Sequence, residues 1–356
     1  MGADGAGAMN IRLTTKELSE ALARVAKVTP QRAHHPALGL ATLEYTDRLR
    51  ISGSSMDMDI RATVPAEGKP GSATVFTHLL ASVVRNIQVD TVQLRTTDSQ
   101  LKIEAGNFKT GVRLAEVELR KIEWPSEYEP VDVPGEAIAS AIRHVQHAAA
   151  TAEYQAVFRN LCLQASRIVA TDGYRLAMHK LELPFDSALL PGAAASLLVD
   201  TLNGDVRVCR TDWGAVFASG GYELAVKFGD GTFPDVDRVI PGTFPVTAKL
   251  NARELSAAIT RVAVMADQVG NNRVDVHVGD GAVRIVTESG SGEAEETVTA
   301  ELGGSLAAMS LAFNARYLMD ALKPLQKAEM RFSGATTPAL VSWDAYTAMV
   351  VPLKDG

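Results

Sequence analysis

Cysteine is nearly missing from this chain: two in 356 residues, Cys162 and Cys209, each inside an apolar, strand-like run. Two such residues build no disulfide framework, and both read as small core residues of a protein in a reducing compartment, the cytoplasm. No apolar run approaches the ~18–20 residues that span a bilayer, which excludes a transmembrane helix and a membrane partner. Residues 1–8 hold Gly, Ala and one Asp between two methionines' worth of start sites, Met1 and Met9. They lack the basic and then apolar order of a signal peptide and read as a short disordered extension. Net positive charge is absent as well: the balance is −7, with 35 Lys and Arg against 42 Asp and Glu. That excludes a chain coated in cations, but a local basic surface survives the objection. No Gly-x-Ser-x-Gly, P-loop, Gly-x-Gly-x-x-Gly or His-Glu-x-x-His occurs, so the common signatures of nucleophilic, nucleotide and zinc chemistry are missing.

What is present is a helix spelled twice. Lys16-Glu17-Leu18-Ser19-Glu20-Ala21-Leu22-Ala23-Arg24-Val25-Ala26 returns 237 residues later as Arg253-Glu254-Leu255-Ser256-Ala257-Ala258-Ile259-Thr260-Arg261-Val262-Ala263. Half that interval, about 118 residues, is the size of a small domain. A fainter copy sits midway, with Ile138, Ala141, Ile142 and Val145 in the places of Leu18, Ala21, Leu22 and Val25. The period is too long for a solenoid and implies one domain built three times in tandem. Pro- and Gly-rich stretches at 124–135 and 240–245 separate the copies. The expected layout is an extension over 1–8 and domains over 9–126, 127–245 and 246–356.

Within each copy the order recurs: the repeated helix, paired strands, a second helix, more strands. Strand pairs start at 49–53, 167–171 and 283–287, and second helices are expected at 77–86, 191–202 and 314–325. Asp280-Gly281, between two alternating runs, predicts a type I′ hairpin turn. The fold class is α+β: antiparallel sheet with two helices per domain. On the first helix Leu18, Ala21, Leu22 and Val25 follow i, i+3, i+4, i+7 and form the buried stripe. The opposite face carries Lys16, Arg24 and Lys27, answered by Arg253 and Arg261 in the third copy and Arg143 in the second. Second helices add Arg85, Arg316 and Lys323. Recurrence at equivalent places makes a basic helix face in an otherwise acidic protein.

Catalytic candidates are weak. His34-His35 precede Pro36 without a further ligand at zinc spacing, and His144 and His147 share a helix face with only Glu153 nearby. Asp57-Met58-Asp59 reads as strand alternation with Met56 and Met58 inward, and Gly229-Asp230-Gly231 as a turn. No cofactor and no metal site is expected.

Two segments are more specific: Ala-Thr-Asp-Gly-Tyr-Arg-Leu-Ala-Met at 170–178 and Gly-Asp-Gly-Thr-Phe-Pro-Asp-Val-Asp-Arg-Val-Ile-Pro at 229–241. With Leu-Ala-Phe-Asn-Ala-Arg-Tyr-Leu at 311–318 and Ala-Met-Val-Val-Pro-Leu at 348–353, they resemble the signature stretches of bacterial β sliding clamps, the processivity rings of DNA polymerase III. The match holds in one register from about Met9 to the C-terminus. The resemblance implies a head-to-tail homodimer closing a ring around duplex DNA, sheets outside and helices inside, without enzymatic activity. It implies a pocket between the second and third domains for linear peptides of the polymerase α subunit, the clamp loader, other polymerases and repair proteins. Carried over residue by residue, that pocket uses Phe158, Thr171, Gly173, Tyr174, Arg175, Leu176, Pro234, Val239, Asn314, Tyr317, Met349, Val351 and Leu353. Arg32 matches a DNA-contacting position, with Lys16, Arg24, Lys27, Arg85, Arg143, Arg261, Arg316 and Lys323 as further lining candidates. The subunit joint would pair the strand around Phe108, Thr110 and Val112 with a third-domain edge near 297–302, Val264 and Met265 adding an apolar patch. Alternative readings are a clamp-fold paralogue with a repair or resistance role, and a cytosolic metal-dependent hydrolase using His34, His35 or His144.

Overall fold

The computed structural model describes residues 8–32, 35–117, 130–152, 155–201, 204–267, 271–306 and 308–354. His34, Glu153 and most of the first linker lie outside the described residues. The element order repeats three times. The first round is β1 (Asn10–Thr14), α1 (Thr15–Val28), β2 (Leu40–Tyr45), β3 (Leu49–Ser54), β4 (Met58–Val64), β5 (Glu67–Lys69), β6 (Gly71–Phe76), α2 (Thr77–Arg85), β7 (Thr91–Thr96), β8 (Gln100–Ala105) and β9 (Phe108–Arg113). The second is β10 (Val131–Pro134), α3 (Gly135–Val145), β11 (Asn160–Gln164), β12 (Arg167–Thr171), β13 (Arg175–Lys180), β14 (Ala188–Pro191), α4 (Gly192–Thr201), β15 (Asp205–Arg210), β16 (Gly214–Ser219) and β17 (Tyr222–Lys227). The third is β18 (Val246–Asn251), α5 (Ala252–Val262), β19 (Arg273–Gly279), β20 (Ala282–Ser289), β21 (Gly292–Thr299), β22 (Glu301–Gly304), β23 (Met309–Asn314), α6 (Ala315–Leu322), β24 (Lys327–Phe332), β25 (Ala339–Trp343) and β26 (Tyr346–Val350).

The repeated helix repeats its cap. Thr14 Oγ1 accepts from the Glu17 amide at 3.3 Å, capping the helix, and donates to the Glu17 carboxylate at 2.5 Å. Asn251 Oδ1 accepts from the amides of Arg253 (3.0 Å) and Glu254 (3.2 Å), while its own amide donates to Glu254 (3.1 Å). Both helices bury the anticipated stripe: Leu18, Ala21, Leu22 and Val25 on α1, and Leu255, Ala258, Ile259 and Val262 on α5. α1 packs on α2, β3 and β4, and α5 on α6, β20 and β21.

Four antiparallel sheets result, in the orders β5-β1-β7-β8-β9, β10-β15-β16-β17-β4-β3-β2-β6, β14-β11-β12-β13-β26-β25-β24-β18-β22 and β21-β20-β19-β23. Each round thus makes two half-sheets, one from its first and last three strands and one from its middle strands. Half-sheets of successive rounds join edge to edge: β4 pairs β17 from Met58↔Val226 to Ala62↔Tyr222, and β13 pairs β26 from Arg175↔Val350 to His179↔Tyr346. Among the described residues, β9 and β21 are the sheet-edge strands left over from this scheme. By compactness the chain forms two units, residues 1–136 with 196–228, and 137–195 with 229–356. The middle round contributes one half-sheet to each, and each β-pairing joint lies within a single unit.

Asp280 and Gly281 adopt φ of 50° and 74°, the left-handed pair of a type I′ turn, as the sequence predicts. α4 begins at Gly192, not Pro191, because Pro191 closes β14 opposite Asn160. Met56 does not point inward: β4 starts only at Met58, and Met56 is 79% exposed in the turn closed by the Ser55 amide and the Met58 carbonyl (2.8 Å). Among the described residues no helix is long and apolar enough to cross a membrane.

Leu18 and Leu255 are completely buried. Truncating either to Ala is expected to cost about 2–5 kcal/mol in denaturant unfolding. Lys16→Ala, on the exposed face of the same helix, should stay within about 0.5 kcal/mol.

Candidate peptide groove and basic helix faces

The two signature segments meet at the β13–β26 joint. Leu176 lies opposite Met349, and Met349 opposite Leu340, so three strands put one apolar row on one face of the sheet. Cys162, Val169, Leu189, Phe233 and Val236 complete a buried cluster around that row, with Phe158, Val157 and Ile240 packed on its flank. Phe158 meets Phe233 edge to face at 6.3 Å. Phe233 and Val236 come from the 229–241 segment, which the bidentate Arg167–Asp237 pair (2.8 and 2.7 Å) ties down to the sheet. That bond holds the Asp237 carboxyl below the usual carboxylate range. Pro234 and Val239 stay exposed on the same segment, Val239 by 52%. The result is an apolar floor with exposed apolar shoulders. Leu176 and Met349 are buried floor residues, not free walls.

The polar end is built by the 171–175 turn. Thr171 Oγ1 donates to the Arg175 carbonyl (2.7 Å) and accepts from the Gly173 amide (3.1 Å). Asp172 Oδ1 accepts from the amides of Tyr174 (2.9 Å) and Arg175 (3.0 Å), an Asx turn. Gly173 has φ +90°, a conformation that disfavours any side chain. The turn leaves Tyr174 62% exposed and folds Arg175 inward, where its side chain is only 13% exposed. Arg175 donates to Asp172 (3.0 Å) and Asp320 (2.5 Å), and its guanidinium lies 4.4 Å over the Tyr317 ring. Burial, then the Asp172 charge, raises the Tyr317 hydroxyl above its ordinary pKa. Val351 and Leu353 are half-buried and anchored by backbone bonds, Val351 to the Tyr174 carbonyl (3.0 Å) and Leu353 to that of Ala312 (2.7 Å). Asn314 spends its side-chain oxygen as the cap of α6, accepting from the Arg316 amide at 3.0 Å.

Sequence reasoning missed Asp320 and weighed His147 only as a weak metal candidate. His147 Nε2 bonds the Tyr346 hydroxyl at 3.0 Å, and His144 stacks at 4.9 Å on His179, so the pair expected on one helix face packs against β13 and β26. Asp172 was legible from the Asp-Gly turn. Asp320 carried no signal, since only the folded chain brings α6 to Arg175. His35 Nδ1 accepts from the Ala37 amide (3.3 Å) and caps a short turn. Among the described residues no group of three His, Cys, Asp or Glu could hold a metal ion.

The basic candidates divide by what they touch. Lys16, Arg32, Arg85, Arg143, Arg316 and Lys323 are exposed, Arg143 with an interaction of its own. Arg24 lies 4.0 Å over the Tyr222 ring, Lys27 pairs with Asp200 (2.6 Å), and Arg261 makes a two-pronged pair with Glu296. Lys27 and Arg261 carry locally neutralised charge, while Arg24 keeps its full charge beside a neutral ring. At the sheet edges, Phe108 is 47% exposed and Val264 79%, while Met265 reaches toward Gly292 at the start of β21. Val112 is 3% exposed: its side chain belongs to the core of its own sheet, and its backbone lies at that edge.

Repeated modules joined edge to edge by strand pairing, with a buried apolar cluster beneath one joint, form a clamp-like scaffold. The sequence model of the DNA polymerase III beta subunit N-terminal domain matches residues 9–126, and that of its C-terminal domain residues 237–351. The beta sliding clamp of Bacillus subtilis (strain 168) is 25% identical over 361 residues, covering 94% of this chain and 95% of the relative. That of Synechococcus elongatus is 24% identical over 362 residues, with the same coverage of 94% and 95%. Among solved structures, the sliding clamp of B. subtilis aligns with TM-score 0.90 at 22% identity, covering 98% of this chain and all of that one. The C. crescentus beta sliding clamp aligns with TM-score 0.88 at 25% identity and the same coverage. This chain belongs to the DNA polymerase III beta subunit family, the β sliding clamps, which are non-catalytic processivity factors. The hydrolase reading of His34, His35 and His144 falls with that assignment.

Burial, then the neighbouring Arg175 charge, lowers His147 from its ordinary 6.5 to about 4. Burial lowers His144 and His179 as well. Between pH 6.5 and 4 the unfolded chain therefore takes up protons that the folded chain refuses, and stability falls as pH falls through that window. His147→Gln should flatten the decline in melting temperature measured from pH 7 to pH 5. An equal decline in both proteins would refute the assignment.

Proposed function

We propose that two copies of this chain close head to tail into a ring that encircles duplex DNA and tethers the replication machinery to it. One observation carries the reading: the middle-strand half-sheet of each round pairs with the outer half-sheet of the next, through β4–β17 and β13–β26. Continued once more, the same rule pairs β21 of one chain with β9 of another, a heterologous contact that closes after two copies. The first residues of the three equivalent strands, each after a two-residue hairpin loop, are Phe108, Tyr222 and Tyr346. Tyr222 and Tyr346 stand at the internal joints opposite Ala62 and His179, and exposed Phe108 is the aromatic that the subunit joint would cover. Thr110, Val264 and Met265 join Phe108 in that contact.

In this reading the three modules span 9–126, 127–245 and 246–356. Lys16, Arg32, Arg85, Arg143, Arg316 and Lys323 meet phosphates without reading bases, so contact is sequence-independent and weakens with salt. Lys27 and Arg261 contribute less because each is already paired with a carboxylate. The chain as a whole is acidic, at net −7, which discourages binding to DNA from outside. The groove takes linear motifs with a Gln and Leu or Phe anchors from the polymerase α subunit, the clamp loader, other polymerases and repair proteins. The site of action is cytoplasmic, on the nucleoid.

Retention separates topology from affinity. Placed on DNA by a clamp loader, the protein should persist on a nicked circle and run off a linear duplex, and Phe108→Asp should be lost from both. Equal loss of the unaltered protein from circle and line would defeat the ring. Arg175→Ala and Tyr317→Ala should each weaken a polymerase-derived peptide by about tenfold or more, about 1.4 kcal/mol, with unchanged dimer mass. Unaltered affinity in both would place the groove elsewhere.

A further inference from the structure

A cavity opens on the same sheet face as the candidate groove. β18, β24, β25 and β26 set Lys249, Glu329, Ser342 and Thr347 opposite one another in a single row. The neighbouring row, two residues along the strands and so about 7 Å away, runs Arg331, Leu340, Met349, Leu176, and its last three members are the groove floor. Over the first row lies a pocket of about 350 Å³, lined also by Arg331 of the second row and by Lys180, Trp343 and Asp344. Among the described residues, Lys180, Lys249 and Arg331 make no ion pair, and Lys180 and Lys249 are exposed. The Arg331 guanidinium stacks 5.0 Å over the ring of Phe244, which itself packs against the groove cluster, and its Nε is buried without a hydrogen-bond partner.

We propose that this pocket receives an acidic side chain flanking the docking motif of a partner peptide, extending the groove by a charged subsite. The inference rests on the groove reading above. A guanidinium seated over an aromatic ring keeps its charge and its forked donors, which suit a carboxylate. Two ammonium groups beside it add attraction without demanding orientation. Three cations against Glu329 and Asp344 leave a single net positive charge. That balance fits one carboxylate and disfavours a polyphosphate or a nucleic-acid backbone, whose several charges would meet both acids. An extended peptide covers the distance from an anchor beside the Met349 row to the pocket in about two residues.

The test uses the full-length protein and a fluorescein-labelled peptide carrying Gln and a Leu-Phe anchor pair, alone or with two Asp residues added at either end. Anisotropy should show one of the two acidic peptides binding about 3- to 10-fold tighter than the plain one at low salt, the gain shrinking as salt rises. Lys249→Gln and Arg331→Gln should each reduce that gain, while Lys249→Gln leaves the plain peptide's affinity unchanged. No gain from either extension, or a gain intact in both variants, overturns the subsite and leaves the groove standing. Failure of the plain peptide to bind overturns both readings.

Discussion

Backbone hydrogen bonding across the joints between rounds is the interaction on which the rest depends. A single round cannot satisfy its own sheets, because its two half-sheets each end in an open strand whose amides and carbonyls need partners. At β4–β17 and β13–β26 the chain supplies those partners internally. The candidate groove follows from the second joint, since Leu176 and Met349 reach one row only because β13 and β26 are neighbours. Remove that pairing and the apolar floor, the Val351–Tyr174 bond and the approach of Asp320 to Arg175 all disappear together.

The groove separates its stable parts from its exposed ones. Its floor is continuous with the core, so partner anchors would add to an existing apolar cluster and need not create one. Its polar end is fixed by Thr171, Asp172 and a left-handed Gly173, which consume the local backbone donors and leave the Tyr174 ring outside. Arg175 is held on both sides by carboxylates and from above by Tyr317, so little conformational entropy would be lost there on binding.

Much of this was legible in the residues. The helix stripe of Leu18, Ala21, Leu22 and Val25 and its copy at 255–262 obey a local period, and a local period survives folding unchanged. The Thr-Asp-Gly turn and the Asp280-Gly281 hairpin were legible for the same reason, since each depends on a few adjacent dihedral angles. What stayed hidden was long-range. Nothing near Asp320 announces Arg175, 145 positions away, and nothing near Lys27 announces Asp200. A basic face drawn from a helical wheel counts charges, but only the folded chain reveals which of them, like Arg261 with Glu296, already have a counter-ion. Val112 shows the converse: a strand at a sheet edge offers its backbone, while alternation still sends every second side chain into the core.

The interleaving of the two compact units has a kinetic side. β10 pairs with β15, some seventy residues downstream, and the amino-terminal unit takes its last segment from 196–228. A chain emerging from the ribosome therefore cannot complete its first unit when the first repeat is out. It must wait through most of the second, with the rim of β4 unpaired in the meantime. Vectorial synthesis thus leaves an adhesive strand in solution for many seconds. The short, charged Asp57–Arg61 stretch at that rim, with two acids and an arginine, is the kind of sequence that keeps such a strand from finding the wrong neighbour.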